Sequence, residues 1–244
     1  MAQSSDMLPP GNRVIMLSGA SRGIGRALAE RLLQEGYRLS LGVRQPSDVA
    51  ALQDIDPEGV LAHAFDAAIP STADAWLTAT LERFGGVDVL INNAGILRKV
   101  TFDEGEDELD AMFAVNVKAP YRLIRLALPH LKRCGHGRII NVASTDGKRY
   151  RDASVSIGYA MTKHALVALS HAAKFAGWDD GIRVTALCPG AVDTELVASV
   201  PGVSPAANRI APDTLGAVVS LLLRLPNNAC VAEMVVNTRL EPTL

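Results

Sequence analysis

The sequence predicts an α/β fold, a single doubly wound domain whose parallel sheet of about seven strands carries helices on both faces. Apolar runs of strand length alternate along the chain with longer segments whose apolar residues recur at helical spacing. Several of the strands are continuous apolar runs, which is typical of strands covered on both faces. No internal repeat or linker divides the 244 residues, so right-handed crossovers join these elements into one sheet.

The elements follow in order from these patterns. Residues 1–12 are predicted to form a flexible polar tail, and residues 13–244 the domain. A strand at 14–17 leads into a helix at 24–34, which Gly36 ends. The remaining strands are predicted at 39–43, 60–65, 87–91, 138–142, 182–187 and 231–236, and the remaining helices at 73–84, 106–133, 157–175 and 214–223.

Two features of the predicted 106–133 helix affect its interpretation. Pro120 and Pro129 are expected to interrupt it, because proline removes a helical hydrogen bond. The acidic run at 103–110 is interpreted as a solvated first turn, where acids favour the helix dipole, and not as a metal site.

Composition and charge restrict the function. Lys plus Arg number 24 and Asp plus Glu 26, a net charge of −2, which argues against a nucleic-acid-binding protein. There is neither a signal peptide nor an apolar run of membrane-spanning length, so the sequence predicts a cytoplasmic protein without a membrane partner. Three scattered cysteines and five histidines form no disulfide or metal-ligand spacing, so no metal is expected.

A glycine-rich turn joins the first strand to the first helix. Its sequence is Ser18-Gly19-Ala20-Ser21-Arg22-Gly23-Ile24-Gly25. Glycines permit a tight turn and close approach of a ligand, and the free N–H groups at the start of the helix attract phosphate. The spacing is GxxxGxG and not the common GxGxxG, so a purely structural tight turn is the alternative.

Tyr159 and Lys163 are separated by four positions on the predicted 157–175 helix, so they share a face. A neighbouring cation lowers the pKa of a phenol from about 10 toward neutrality, which suits a general acid/base. The alternative is an exposed Tyr–Lys pair without function.

Ser144 follows the strand predicted at 138–142. Parallel sheets bind ligands at the carboxyl ends of their strands, so Ser144 is expected to lie near Tyr159 and to donate a hydrogen bond to a substrate carbonyl oxygen. A serine that caps a turn is the alternative.

Taken together, these motifs resemble the short-chain dehydrogenase/reductase family. The resemblance extends from about residue 13 to about residue 236. In the family's order, its elements are SGASRGIG near the start, NNAG at 92–95, Asn116, Ser144, YxxxK at 159–163 and Pro189-Gly190. It implies a Rossmann domain and an oxidoreductase.

The resemblance also implies residue roles. Tyr159 would be the catalytic acid/base, and Lys163 would lower its pKa and hold the nicotinamide ribose. Ser144 would orient and polarise the substrate oxygen. Asn116 would lie at a bend in the long helix and hold a water for the proton relay.

The resemblance further implies a larger set of residues that bind the cofactor, with Asp66 near the adenine amino group and the 189–194 segment near the nicotinamide. Besides Tyr159 and Lys163, the set comprises Gly19, Ser21, Arg22, Gly23, Ile24, Gly25, Arg44, Asp66, Asn92, Ala94, Gly95, Pro189, Gly190, Val192 and Thr194. The chain departs from the family in a slightly long interval between Ser144 and Tyr159. It also lacks the glycine pair that frequently follows an aspartate near the C-terminus, where subunits usually make contact.

The end of the second strand favours NADP over NAD. An acidic residue there would bind the ribose 2′-hydroxyl and select NAD, but Val43 takes that position and Arg44 follows it. Arg44 and Arg22 together can bind a 2′-phosphate through charge-assisted hydrogen bonds. The alternative is that both arginines are solvated; Asp48, beyond Pro46, is a weaker candidate for selecting NAD.

The sequence therefore predicts hydride transfer between NADP(H) and a small-molecule carbonyl or secondary alcohol, with Tyr159 moving the proton. An NAD-dependent dehydrogenase of the same family and a non-catalytic nucleotide sensor remain alternatives. A short flap at 195–210 indicates a small or open-ended substrate. Because the helices at 106–133 and 157–175 are long and apolar on more than one face, we expect a homotetramer, or a dimer if the unusual C-terminus alters the assembly.

Overall fold

Seven parallel strands form one sheet in a computed structural model that describes residues 6–198, 200 and 204–238. The strands are β1 (Val14–Ser18), β2 (Arg38–Val43), β3 (Val60–Ala64), β4 (Val89–Asn92), β5 (Arg138–Val142), β6 (Arg183–Pro189) and β7 (Glu233–Val236). Their spatial order is β3-β2-β1-β4-β5-β6-β7. In register, Leu17 of β1 pairs with Leu41 of β2 on one side and with Ile91 of β4 on the other. The predicted α/β fold is confirmed.

Helices connect the strands, and most begin and end within a few residues of the predicted bounds. They are α1 (Gly23–Gln34), α2 (Ala50–Ile55), α3 (Ser71–Phe84), α4 (Glu106–Phe113), α5 (Ala119–Cys134), α6 (Ile157–Gly177), α7 (Glu195–Ala198) and α8 (Pro212–Arg224). Neither α2 nor α7 was predicted, because helices of six and four residues are too short to display a helical period.

Alternate residues of β1 supply two apolar cores, one on each face of the sheet. Ile15 and Leu17 pack in the core that includes Leu28 of α1. Met16 points to the opposite face and packs in the core that includes Trp76 of α3. Both faces are therefore sealed by helices, and ligand access is left to the edge where the strands end.

The interruptions predicted at Pro120 and Pro129 are wrong, whereas the helix is irregular at Asn116, where the family resemblance implied a bend. Pro120 lies in the first turn of α5, where proline is tolerated, and Pro129 lies inside α5 without ending it. The irregularity is instead a π-helical turn, Ala114–Lys118, between α4 and α5. Asn116 lies at the centre of this turn, and π-turns inside α-helices occur frequently at functional sites.

The described terminal residues pack against the domain. Leu8, within the segment predicted as a tail, donates its backbone N–H to the Arg224 carbonyl at the end of α8 (2.7 Å). Residues 1–5 and 239–244 lie outside the described residues. Within the described ranges, no helix combines the length and apolar character needed to cross a bilayer.

Candidate active site

A cavity of about 330 Å³ opens at the carboxyl ends of the strands. The segments after β1 to β6 form its wall and bring together residues that are far apart in the sequence. Of the predicted site residues, it is lined by Gly19, Ser21, Arg22, Gly23, Ile24, Arg44, Asp66, Ala94, Gly95, Ser144, Tyr159, Lys163, Pro189, Gly190, Val192 and Thr194. Gly25, Asn92 and Asn116 do not line it.

The glycine-rich turn has the geometry of a phosphate cradle. Gly19 adopts a left-handed φ of +73°, and a Cβ there would lie 2.9 Å from the Cα of Ala94. The helix α1 begins after Arg22, whose side chain makes no capping hydrogen bond. A 12-residue helix that points an uncapped N-terminus toward a glycine-lined cavity suits a bound phosphate, so these residues fit a dinucleotide.

Gly25 acts in packing and does not touch the cavity, contrary to the expected cofactor contact. A Cβ at this position would lie 2.1 Å from the carbonyl oxygen of Gly19. The missing side chain therefore lets the first turn of α1 approach the glycine-rich turn closely and fixes the shape of that turn.

Asn92 was expected to line the cofactor site, but the asparagine that lines the cavity is the next residue, Asn93. Asn92 is 2 % exposed at the end of β4, and its Nδ2 donates to Oδ1 of Asn141 on β5 (2.8 Å). The cavity is lined instead by Asn93, whose Nδ2 donates to the carbonyls of Ser18 (3.1 Å) and Gly19 (2.9 Å). Asn93 thus holds the glycine-rich turn against the end of β4.

Asn116 links α6 to the segment after β4. Its Oδ1 accepts from the Ile96 N–H (2.9 Å), and its Nδ2 donates to the Ile96 carbonyl (2.9 Å) and to Oγ1 of Thr162 (3.1 Å). Asn116 is 1 % exposed and lies outside the cavity wall. Its side chain therefore positions neighbouring segments. The side-chain amide, which was expected to hold a relay water, binds groups of the protein in this arrangement.

Ser144 occupies the position expected of a site residue and also caps a turn. It lies at the end of β5 in the cavity wall, and it caps a 3₁₀ turn, Thr145–Gly147. The cap is a hydrogen bond from the Asp146 backbone N–H to Oγ of Ser144 (3.1 Å). Because Oγ accepts this bond, the hydroxyl hydrogen remains able to donate toward the cavity.

Tyr159 and Lys163 lie one turn apart on α6, as their spacing predicted. The Lys163 Nζ lies 5.5 Å from the centre of the Tyr159 ring and donates to the Val142 carbonyl at the end of β5 (2.8 Å). Tyr159 is 9 % exposed and Lys163 5 %. The pair is therefore not exposed, because both polar groups are buried in the cavity wall.

The predicted lowering of the phenol pKa is wrong for this arrangement. Burial raises the pKa of Tyr159 above its usual value, the negative charge of Asp146 raises it further, and a hydrogen bond with Ser144 opposes both effects. The Lys163 ammonium is directed at a carbonyl, and burial lowers its pKa to about 8. Tyr159 therefore holds its proton at neutral pH, whereas Lys163 titrates only slightly above it.

The two arginines proposed to select NADP differ in their contacts. Both line the cavity, as does Val43 at the end of β2, whereas Asp48 does not. Arg22 forms an ion pair with Glu195 of α7, and both side chains are largely exposed. Arg44 is exposed and forms no ion pair within the described part of the chain.

The predicted flap partly covers this cavity. Leu196 and Val197 of α7 and the nearby Val200 line it, while residues 199 and 201–203 of the flap lie outside the described residues. Asp146 and Arg151 also line the cavity but were not predicted to do so. One indication in the sequence was the unusual length of the segment between Ser144 and Tyr159.

A cluster of possible metal ligands lies at the opposite edge of the sheet. Asp88, Cys134 and His136 bring one ligand atom each within 4.8 Å of one another. Burial lowers the pKa of His136, and the positive charges of Arg13 and Arg138 lower it further. The same charges oppose a metal cation, which is consistent with a structural role for the cluster.

The fold and the cavity define a class of protein, a nucleotide-binding α/β protein with a buried Ser–Tyr–Lys group at its ligand site. The family model described as short chain dehydrogenase matches residues 13–202, and the chain belongs to this family.

Relatives and solved structures agree with this assignment. The agropine synthesis reductase of Rhizobium rhizogenes is 40 % identical over 220 residues, which cover 89 % of this chain and 50 % of that protein. The chain thus spans about half the length of this relative. Levodione reductase of Leifsonia aquatica is 34 % identical over 194 residues, covering 76 % and 72 %.

Two solved structures carry nicotinamide ligands. The 3-ketoacyl-(acyl-carrier-protein) reductase of Brucella melitensis, complexed with NADH, superposes with a TM-score of 0.86 at 28 % identity, covering 93 % of this chain and 98 % of that one. The alcohol dehydrogenase of Thermococcus sibiricus, complexed with 5-hydroxy-NADP, has a TM-score of 0.83 at 33 % identity, covering 92 % and 95 %.

Proposed function

We propose that the protein is an NADP(H)-dependent oxidoreductase that interconverts a small-molecule carbonyl and the corresponding secondary alcohol. The observation that carries this proposal is that one cavity joins the glycine-rich turn to the buried Ser144, Tyr159 and Lys163. A phosphate cradle alone would suit any nucleotide-binding protein, whereas a nucleotide sensor has no need of three buried polar groups that can move a proton. The free cysteines support a cytoplasmic location.

Residues on both sides of the cavity would hold the dinucleotide. The glycine-rich turn and the start of α1 would bind the phosphates, Asp66 would meet the adenine, and Pro189 and Thr194 would contact the nicotinamide end. When bound, the nicotinamide supplies a hydride to the carbonyl carbon or accepts one from the alcohol carbon.

The chain's own groups handle the proton. The Ser144 hydroxyl would donate to the substrate oxygen and orient it beside Tyr159. In reduction, Tyr159 would give its phenolic proton to that oxygen, a role suited to a phenol that burial keeps protonated at neutral pH. Lys163, with a pKa of about 8, would support the phenolate that results.

A substrate screen tests this function. We expect a panel of small ketones, and of secondary alcohols in reverse, to contain compounds that change NADPH absorbance at a rate proportional to enzyme concentration. Tight NADPH binding, measured by fluorescence, without turnover of any compound would instead favour a nucleotide sensor.

Arg44→Asp should weaken NADPH binding. It removes a cation from the proposed 2′-phosphate site and adds a repulsive carboxylate, so the loss should be about 1.5–3 kcal/mol or more. Fluorescence titration should show NADH binding unchanged or improved. Arg38→Asp, at the start of β2 and outside the cavity wall, is the matched control and should leave both affinities unchanged. Tighter binding of NADH than of NADPH by the wild-type protein would refute the NADP assignment.

We also propose a homotetramer. Large apolar side chains are exposed on the helices expected to pair: Tyr121 on α5, Met161 and Phe175 on α6, and Trp178 at its end, with Phe175 80 % exposed. Light scattering at micromolar concentration should give about four times the mass of the chain. A stable monomer would contradict the proposal. A dimer would indicate that the unusual C-terminus alters the assembly.

A further inference from the structure

Asp146 is a carboxylate in the catalytic cavity for which the structure provides no partner. It is half-buried and lines the cavity wall two residues after Ser144. Its backbone N–H is used by the Ser144 cap, but its carboxylate forms no hydrogen bond or ion pair with any residue that the structure describes. Partly buried carboxylates without partners are costly, so a ligand group is the natural counterpart.

The backbone that carries Asp146 is held firmly. Ser144 caps the 3₁₀ turn on one side. On the other side Gly147 packs directly on α6, where a Cβ would lie 2.7 Å from the Lys163 carbonyl oxygen. The carboxylate is therefore carried by a turn that is fixed to both the catalytic serine and the catalytic helix, which is the placement of a recognition group.

The charged groups around Asp146 do not neutralise it by direct contact. Arg149, Arg151 and His164 lower its pKa through their charges, and Asp152 raises it, but burial is the largest influence and raises it. Of these groups, Arg151 lines the cavity wall; its Nε donates to Asp152 (3.0 Å) and its Nη2 donates to Oγ of Ser154 (3.4 Å).

We propose that Asp146 is a specificity-determining residue that binds an ammonium group on the substrate, so that the preferred substrates are amino ketones and amino alcohols. This inference rests on the proposed function, because it assigns the substrate class of the same cavity. An ammonium group can donate charge-assisted hydrogen bonds to the carboxylate, which a methyl group cannot do and a hydroxyl does more weakly.

The same charge acts on the catalytic phenol. The negative charge of Asp146 raises the pKa of Tyr159, so a cation bound at Asp146 would reduce that effect. Binding of the preferred substrate would then ease loss of the phenolic proton during alcohol oxidation. A neutral substrate would leave the effect of Asp146 in place.

The direct test is ligand binding to the protein loaded with NADP⁺, measured by calorimetry. The probes are secondary alcohols with a terminal ammonium group one, two or three carbons from the carbinol carbon, such as 1-amino-2-propanol. Each is compared with alcohols of the same length that carry a methyl or a hydroxyl in its place. At least one ammonium compound should bind about 10- to 100-fold more tightly than its methyl counterpart.

Asp146→Asn isolates the charge. It keeps the shape and should abolish the preference for ammonium compounds, while for a neutral alcohol the rise of the oxidation rate with pH should shift to lower pH. Asp103→Asn, which removes an exposed acid outside the cavity, is the matched control and should leave both the preference and the pH profile unchanged.

Each outcome is decisive. Equal binding of ammonium and methyl compounds, a preference for hydroxyl compounds, or a preference retained in Asp146→Asn would overturn the inference. If Asp146→Asn fails to fold, the wild-type series alone decides. Selective ammonium binding without any turnover would uphold the subsite and refute the proposed activity, whereas turnover without selectivity would do the reverse.

Discussion

Tyr159→Phe should reduce turnover by about 10²- to 10⁴-fold, the usual contribution of a positioned proton donor. Phenylalanine keeps the ring and its packing among the apolar residues Val100 and Met112, and only the hydroxyl is lost. NADPH affinity should barely change, because the hydroxyl is needed at the substrate oxygen and not at the phosphates.

Single-turnover rates and fluorescence titration with NADPH measure these two effects separately. Tyr150→Phe is the matched control, since Tyr150 lies outside the cavity wall and its hydroxyl donates to the Val155 carbonyl (3.1 Å). It should keep turnover within a few-fold of wild type. Near wild-type turnover of Tyr159→Phe would refute the proposed mechanism.

Lys163→Met should lose activity and gain stability. Turnover should fall at least about 10²-fold and NADPH affinity should fall with it, because both a cation beside the phenol and a proposed ribose contact disappear. In the direction of alcohol oxidation, residual activity should appear only at higher pH, where the phenol ionises without that cation.

The gain in stability follows from the lowered pKa of Lys163, which is about 8 in the folded protein and 10.5 for an unperturbed lysine. The unfolded chain binds more protons between these values, so wild-type stability should increase as pH rises from about 8 to 10.5, and the full cost of the buried charge is present below pH 8. Removing the charge should stabilise the protein at pH 7 by about 1–3 kcal/mol, after loss of the bond to Val142.

Thermal unfolding of both proteins between pH 7 and pH 10.5 measures this effect. The difference in Tm should be largest at pH 7 and should shrink as pH rises. A variant that is less stable than wild type at every pH would show that the bond to Val142 outweighs the buried charge, and would contradict the prediction.

The sequence was sufficient for the strand and helix order because each strand is bounded by residues that end it and each long helix has a clear period. The sequence was insufficient to assign a site residue where two neighbouring residues are of the same type. The run that ends in Asn92 and Asn93 contains no pattern that tells which asparagine faces the cavity, because that depends on the pleat at the last residue of β4.

The π-turn between α4 and α5 illustrates a second feature that local sequence patterns do not encode. Proline is the usual reason to interrupt a helical pattern, but this helix deviates around Asn116, where an amide satisfies two groups of Ile96 and the hydroxyl of Thr162. These partners are 20 and 46 positions away, and no local period encodes them. Likewise, the sequence displays a carboxylate at position 146, and only the folded chain reveals that this carboxylate has no partner among the residues that the structure describes.

The strand order has a consequence for how the protein can change. The order in which successive strands are added to the sheet reverses at β1: β2 and β3 lie on one side of it, and β4 to β7 on the other. Arg44, which follows β2, and Asp146, which follows β5, therefore lie in different halves of the domain. In the roles proposed for them, Arg44 and Asp146 set coenzyme choice and substrate choice from loops on opposite sides of β1, so one of these residues can change without displacing the other.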